Sequence, residues 1–130
     1  MSRAASVSWG VGEFRLEQES PVPGAVVISV HGDVDLHSGP ELRERLAAAI
    51  DGGTTSIVVD LNGATFVDSM ALGVLLASLK RLRARNGRLG LVVATPEQRR
   101  IFEITLLDRI FPLYASRDEA LADASAGGTV

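Results

Sequence analysis

Cysteine is absent from all 130 residues. Its absence excludes disulfides and thiolate metal ligands, and it suits a reducing cytosol. Histidine is scarce: only His31 and His37 occur, at a spacing that matches no metal-binding pattern. No apolar run approaches the roughly 20 residues of a membrane-spanning helix, and the first residues lack the charged-then-apolar order of an export signal. Basic charge is not in excess either. Thirteen Lys and Arg against sixteen Asp and Glu leave a net charge of −3, which gives nucleic acid no electrostatic footing. P-loop and dinucleotide fingerprints are missing. The segment Val67-Asp68-Ser69-Met70-Ala71 lacks both glycines of a G-x-S-x-G nucleophile elbow. These absences point away from an enzyme and from a metal or other cofactor. They lead to the expectation of a cytoplasmic protein with no membrane span and a single core, since a chain this long hardly supports two.

What the chain does have is centred on Ser56 to Arg83. Ile57-Val58-Val59-Asp60-Leu61 is short, β-branched and almost continuously apolar, as a strand buried on both faces is. Asn62-Gly63 is read as its end, and a connection leads to Asp68-Ser69. The period then changes: Leu72, Leu75, Leu76, Leu79 and Leu82 lie on one helical stripe. A buried strand thus delivers a small hydroxyl to a helix start at the strand's carboxyl end, where α/β proteins commonly place their sites. Ser69 is the leading candidate.

Around this centre the other elements fall in order. Residues 1–12, rich in Ser, Ala and Gly, are read as a flexible segment carrying Trp9. Phe14 to Glu19 alternates as a half-exposed strand, and Pro21 to Gly24 turns the chain into a second strand, Ala25 to Val30. A helix begins at Ser38 and ends at Asp51-Gly52-Gly53. Arg88 to Ala94 is a further buried strand, a helix opens at Thr95-Pro96, Phe111 to Ala115 reads as a last strand, and a short helix starts at Ser116. Ser38, Thr95 and Ser116 each carry Glu or Gln three residues on, the signature of a capping box. The expected fold is α/β: a mainly parallel mixed sheet with an antiparallel N-terminal edge, covered by about four helices. One domain spans residues 13–123, and residues 124–130 form a flexible tail.

The helix after Ser69 breaks the capping pattern. With Asp68 as N-cap its third position is Ala71, so no side chain reaches back, and the end offers donors and partial positive charge to a phosphoryl group on Ser69. Opposite the leucine stripe, Met70, Val74, Ala77 and Arg81 fall on one line flanked by Gly73. Glycine inside a helix costs about 1 kcal/mol relative to alanine, so its presence suggests that some backbone must come close. Small and apolar groups where charge would be usual predict a docking face next to Ser69.

Phe66-Val67-Asp68-Ser69-Met70-Ala71-Leu72-Gly73-Val74-Leu75 resembles the signature of the STAS domain, in particular that of bacterial anti-sigma factor antagonists. Gly32-Asp33-Val34-Asp35 followed by Pro40-Glu41-Leu42 is similar to that family's other recurring segment. The resemblance covers roughly Phe14 to Ala122. It implies that Ser69 is phosphorylated by an ATP-dependent serine kinase that doubles as the anti-sigma factor. The unphosphorylated protein, a monomer when free, would bind that kinase and release the sigma factor; phosphorylation would end the complex. Met70 stands where the family commonly has a small, often hydroxylated residue. Asp35 matches an acidic family position, and two readings stay open for it: a functional one, contacting the kinase or positioning Ser69 for phosphoryl transfer, or hydrogen bonds within its own turn. The alternative function is a STAS nucleotide-binding or scaffold module of a stress-signalling or lipid-transport assembly.

Overall fold

Alternation along the central strands decides the architecture. Val26, Ile28 and Val30 belong to one buried cluster and Val27 to another, while Ile57, Val59 and Leu61 join the first and Val58 the second. Side chains two residues apart share a face, so the sheet is buried on both sides. The computed structural model describes residues 7–11 and 13–126. Strands β1 (Val7–Val11), β2 (Phe14–Val22), β3 (Ala25–Val34), β4 (Ser56–Val67), β5 (Arg88–Val92) and β6 (Leu113–Tyr114) lie side by side in chain order. β1 to β3 pair antiparallel, and β3 to β6 pair parallel.

Helices α1 (Gly39–Asp51), α2 (Ser69–Arg83) and α3 (Pro96–Ile104) join successive parallel strands. Right-handed crossovers that always advance in the same direction put all three on one face. There Leu42, Leu46, Ile50, Leu75, Leu79, Leu82 and Phe102 pack against Leu16, Ile28, Val59 and Leu91. The last helix, α4 (Arg117–Ala126), covers the other face, where Ala120 meets Val27, Val58 and Val92. Arg117 fastens it: Nε donates to Asp60 Oδ2 at 2.9 Å, one Nη to Glu19 Oε2 at 3.1 Å and the other to Ser29 Oγ.

The elements differ in extent from the sequence reading, each for a local reason. Val7–Val11 is a strand, not part of a flexible segment; residues 1–6 and 12 lie outside the described residues. It pairs Trp9 with Leu16, and the Arg45 guanidinium lies 4.5 Å above the indole. Small Ser8 and Gly10 hide this strand's period. Asn62-Gly63 does not end β4. The ladder to β3 shifts register near His31 and Gly32 and continues to Val67, so a bulge absorbs the turn residues. The final strand shrinks to Leu113–Tyr114, whereas α4 runs to Ala126, into the stretch read as a tail; residues 127–130 lie outside the described residues.

Capping also departs from expectation, since none of the three predicted boxes closes. Ser38 makes no side-chain cap; its hydroxyl donates to Asp33 O at 2.7 Å instead. Thr95 accepts from Gln98 N at 3.2 Å and Ser116 from Glu119 N at 3.2 Å, but neither box closes: Gln98 Nε2 donates to Leu61 O and Ala64 O instead, and Glu119 Oε1 accepts from Ala115 N.

After α3 the chain passes through Leu106, a left-handed residue with φ 62° whose side chain is 55% exposed. A side chain there costs roughly 1–2 kcal/mol that glycine avoids, and the exposed leucine gains little packing in return. Leu106→Gly is therefore expected to stabilise the protein by about 1 kcal/mol, once the greater freedom of an unfolded glycine is deducted. Denaturant unfolding checks this; an unchanged or lower midpoint would show that Leu106 makes up the strain by packing.

Candidate functional site

The site begins where β4 leaves the sheet. Asp68 N donates to Val34 O at 3.2 Å, so the start of α2 is held against the end of β3. Extended at φ −95°, Asp68 turns its carboxylate onto Ala71 N at 3.0 Å. This is the N-cap that the sequence predicts, with no side chain reaching back. Ser69, the first helical residue, is exposed. Its hydroxyl stands at the end of the helix where amide donors and the positive pole of the dipole converge.

The exposed ridge of α2 continues through Gly73, Ala77 and Lys80, and Met70 is half-buried beside it. At Gly73 an added Cβ would meet no atom of the described residues within 4 Å. This glycine is therefore not required by the domain's own packing. Val74 does not belong to the ridge. It is 4% exposed and packs in the main core with Ala71, Leu75 and Leu79. The physical reason is α1, which packs along that flank. Met70 lies over Gly39, where a Cβ would come 3.1 Å from its sulfur, and Arg81 pairs with Asp51 at 2.6 Å. α2 is covered by the sheet and by α1, so its buried arc is turned towards Val74, and Leu72 and Leu76 are only half-buried. Arg81 is thereby tied to the flank of α1 rather than held clear at the centre of the ridge.

Asp35 serves its own turn. Its Oδ1 accepts from His37 N at 2.9 Å and Ser38 N at 3.1 Å, and the Ser38 hydroxyl also reaches it. These bonds, Ser38's amide first and then His37's, hold its carboxyl below the usual 3.8. Beside it Asp33 accepts from the Thr65 hydroxyl, which links the β3 exit to the β4 exit. Glu13, Asp33, Asp35, His37 and Thr65 line a shallow acidic cavity of about 280 Å³. Ser69, Asp68, Met70 and Asp35 thus share the carboxyl end of the sheet. Two surface residues there escaped the sequence reading. Thr65 sat in a stretch taken as a connection. Leu36, 64% exposed, carried one signal, an apolar residue between Asp35 and His37 that fits no period.

A family model for the STAS domain matches residues 17–120. The chain belongs to the STAS domain family. BtrV, a candidate anti-sigma factor antagonist from Bordetella bronchiseptica, is 34% identical over 101 residues, 78% of this chain and 87% of that one. The crystal structure of an anti-sigma factor antagonist from Mycobacterium paratuberculosis matches with a TM-score of 0.77 at 29% identity, over 93% of this chain and 95% of that one. The Bacillus cell fate determinant SpoIIAA in its phosphorylated form matches with a TM-score of 0.67 at 28% identity, over 82% and 96%. Among the described residues of this STAS chain, no helix is long and apolar enough to cross a membrane.

The two small α2 residues are expected to respond oppositely to substitution. Gly73→Ala should stabilise the STAS domain by about 1 kcal/mol, because the helix gains a better former and the new methyl meets open space. Val74→Arg should unfold it or sharply lower its melting temperature, since a charge would enter a core that offers no partner. Thermal unfolding of both variants decides; a stable Val74→Arg protein would mean that α2 is turned otherwise.

The Asp35 turn carries a pH dependence of defined sign. A carboxylate held below its ordinary value contributes stability that is present above that value and is lost as pH falls through the lower folded one. The carbon-13 carboxyl titration of Asp35 should therefore show a midpoint below 3.8. Exchange of the His37 and Ser38 amides should quicken only under more acidic conditions than that. A midpoint at or above 3.8 would contradict the assigned bonds.

Proposed function

We propose that this STAS protein is an anti-sigma factor antagonist, a cytoplasmic binding protein rather than an enzyme, controlled by phosphorylation of Ser69. Unphosphorylated, it binds an anti-sigma factor that is also an ATP-dependent serine kinase, and so frees the sigma factor; phosphorylation ends the complex. One observation carries this reading: an exposed hydroxyl sits at the first position of a helix whose ridge, through Gly73 and Ala77, presents little beyond backbone and methyl groups. The names of the relatives support the general role, and the phosphorylated form of SpoIIAA supports a phosphorylated residue in a similar fold.

The physics of the switch is local. A phosphoserine adds about −1.5 to −2 charge. The free amides of the helix end stabilise that charge within the protein, so the fold persists. A partner seated on the ridge would have to bury it beside Asp68, at a desolvation cost that small apolar groups cannot offset. Asp35 contributes by holding the neighbouring loop in shape, and its second reading, a direct contact to the kinase, is retained as part of this proposal.

Incubation with ATP and the partner kinase is expected to place one phosphate on Ser69. Ser69→Glu should weaken kinase binding tenfold or more, about 1.4 kcal/mol, with an unchanged melting temperature, while Ser69→Ala should bind and resist phosphorylation. Phosphosite mapping that finds a different residue, or equal affinity of the phosphorylated and unphosphorylated forms, would sink the reading.

A further inference from the structure

A second recognition element lies on the other side of the Ser69 loop. Between the last residues of β4 and the first two turns of α3 is a cavity of about 120 Å³, walled by the apolar Leu61, Ala64, Val67, Ile101 and Phe102 together with the polar Thr65, Glu97 and Gln98. Its two walls are fixed relative to each other by hydrogen bonds across its edge. Gln98 Nε2 donates to Leu61 O at 2.6 Å and Ala64 O at 3.1 Å, strapping α3 to the end of β4. Asn62 Oδ1 adds a second strap by accepting from Ala94 N at 2.9 Å. The hollow is thus preformed, mostly apolar and open at the surface. At about 120 Å³ it is smaller than the roughly 150 Å³ cavity that admits benzene, so it suits one aliphatic side chain of leucine size.

Two further features point to a protein occupant. Val67 in the wall stands two residues before Ser69, so the cavity and the serine flank the same exit of β4. Ile104, 72% exposed, lies one turn beyond Ile101 on the same side of α3, and it extends the apolar surface from the mouth along the helix.

Resting on the Ser69 reading, we propose that the kinase recognising Ser69 inserts one leucine-sized aliphatic side chain into this cavity. The segment that carries it lies along Ile101 and Ile104. Occupancy converts a solvated hollow into buried apolar contact, and it fixes the register of the kinase on α2 independently of the charge on Ser69. The cavity is thus an anchor and the serine a release.

The test measures the affinity of the purified kinase for the unphosphorylated full chain. Ala64→Leu, which fills the cavity from within, and Ile104→Ser, which removes its apolar extension, should each weaken binding tenfold or more. Both should leave Ser69 as the residue phosphorylated at high kinase concentration. Ile104 is exposed, so that variant keeps the test decisive if Ala64→Leu fails to fold. Affinities within twofold of wild type, with phosphate still on Ser69, would overturn the cavity inference alone. Phosphate on another residue of the wild-type chain would overturn the Ser69 reading on which it rests. Variants that change self-association by sedimentation but not kinase affinity would assign the cavity to a second copy and overturn the proposal.

Discussion

The parallel pairing of β3 with β4 is the constraint on which the site depends. The pair stays in contact from Ala25 and Ser56 to Val34 and Val67, through two changes of register. Because β4 does not leave the sheet at Asn62-Gly63, the chain emerges beside the end of β3, and Asp68 can bond Val34. That single exit point sets where α2 starts, which amides are left free, and how close Ser69 lies to the Asp35 turn. Were β4 to stop at Leu61, the serine would sit on a loop with no fixed relation to α1. The short link from Thr65 to Asp33 strengthens the same junction from the side-chain layer.

Much of this was legible in the sequence, because the strands and helices use different periods. The parallel order, the antiparallel edge, the Asp68 cap and the exposed Ser69 follow from residues within a few positions of one another. What was not legible came from neighbours distant in sequence. The leucines of α2 predict a buried stripe centred between Leu75 and Leu79. The structure turns that arc towards Val74 because α1 covers a second side of the helix, and no local period in α2 records the presence of α1. Likewise Ser38 and Glu41 spell a capping box, yet the serine hydroxyl is drawn to Asp33 and Asp35 in the preceding turn. β1 was invisible for the opposite reason. Its five residues, Val-Ser-Trp-Gly-Val, alternate, but two of them are too small to register as a face until β2 supplies the partner.

The helix start and the cavity assign different physical tasks to the two sides of one loop. In the proposed switch the interaction at Ser69 is electrostatic and acts at the surface, so the addition of one group would reverse it. In the proposed anchor at the β4–α3 cavity the interaction would be apolar and depend on shape, which no modification of Ser69 alters directly. A partner that uses both gains persistent affinity from one side and control from the other. The acidic hollow around Asp33 and Asp35 adds a third character to the same end of the sheet, although its carboxylates are largely engaged by their own turn and by Thr65.

The fastening of α4 bears on the order in which the molecule is completed. Val27, Val58 and Val92 on the second face have no helix among β1 to β6 to cover them, and Glu19 and Asp60 stand on that face as neighbouring carboxylates until Arg117 joins them. The guanidinium that neutralises Glu19 and Asp60 on this side therefore belongs to α4. As the polypeptide leaves the ribosome, the sheet and its three upper helices are made before their underside has any cover. The nascent domain carries an open valine strip flanked by unpaired acids until residue 117 and the helix behind it emerge. The second face of the described domain is thus closed only once the segment from Arg117 onward is in place.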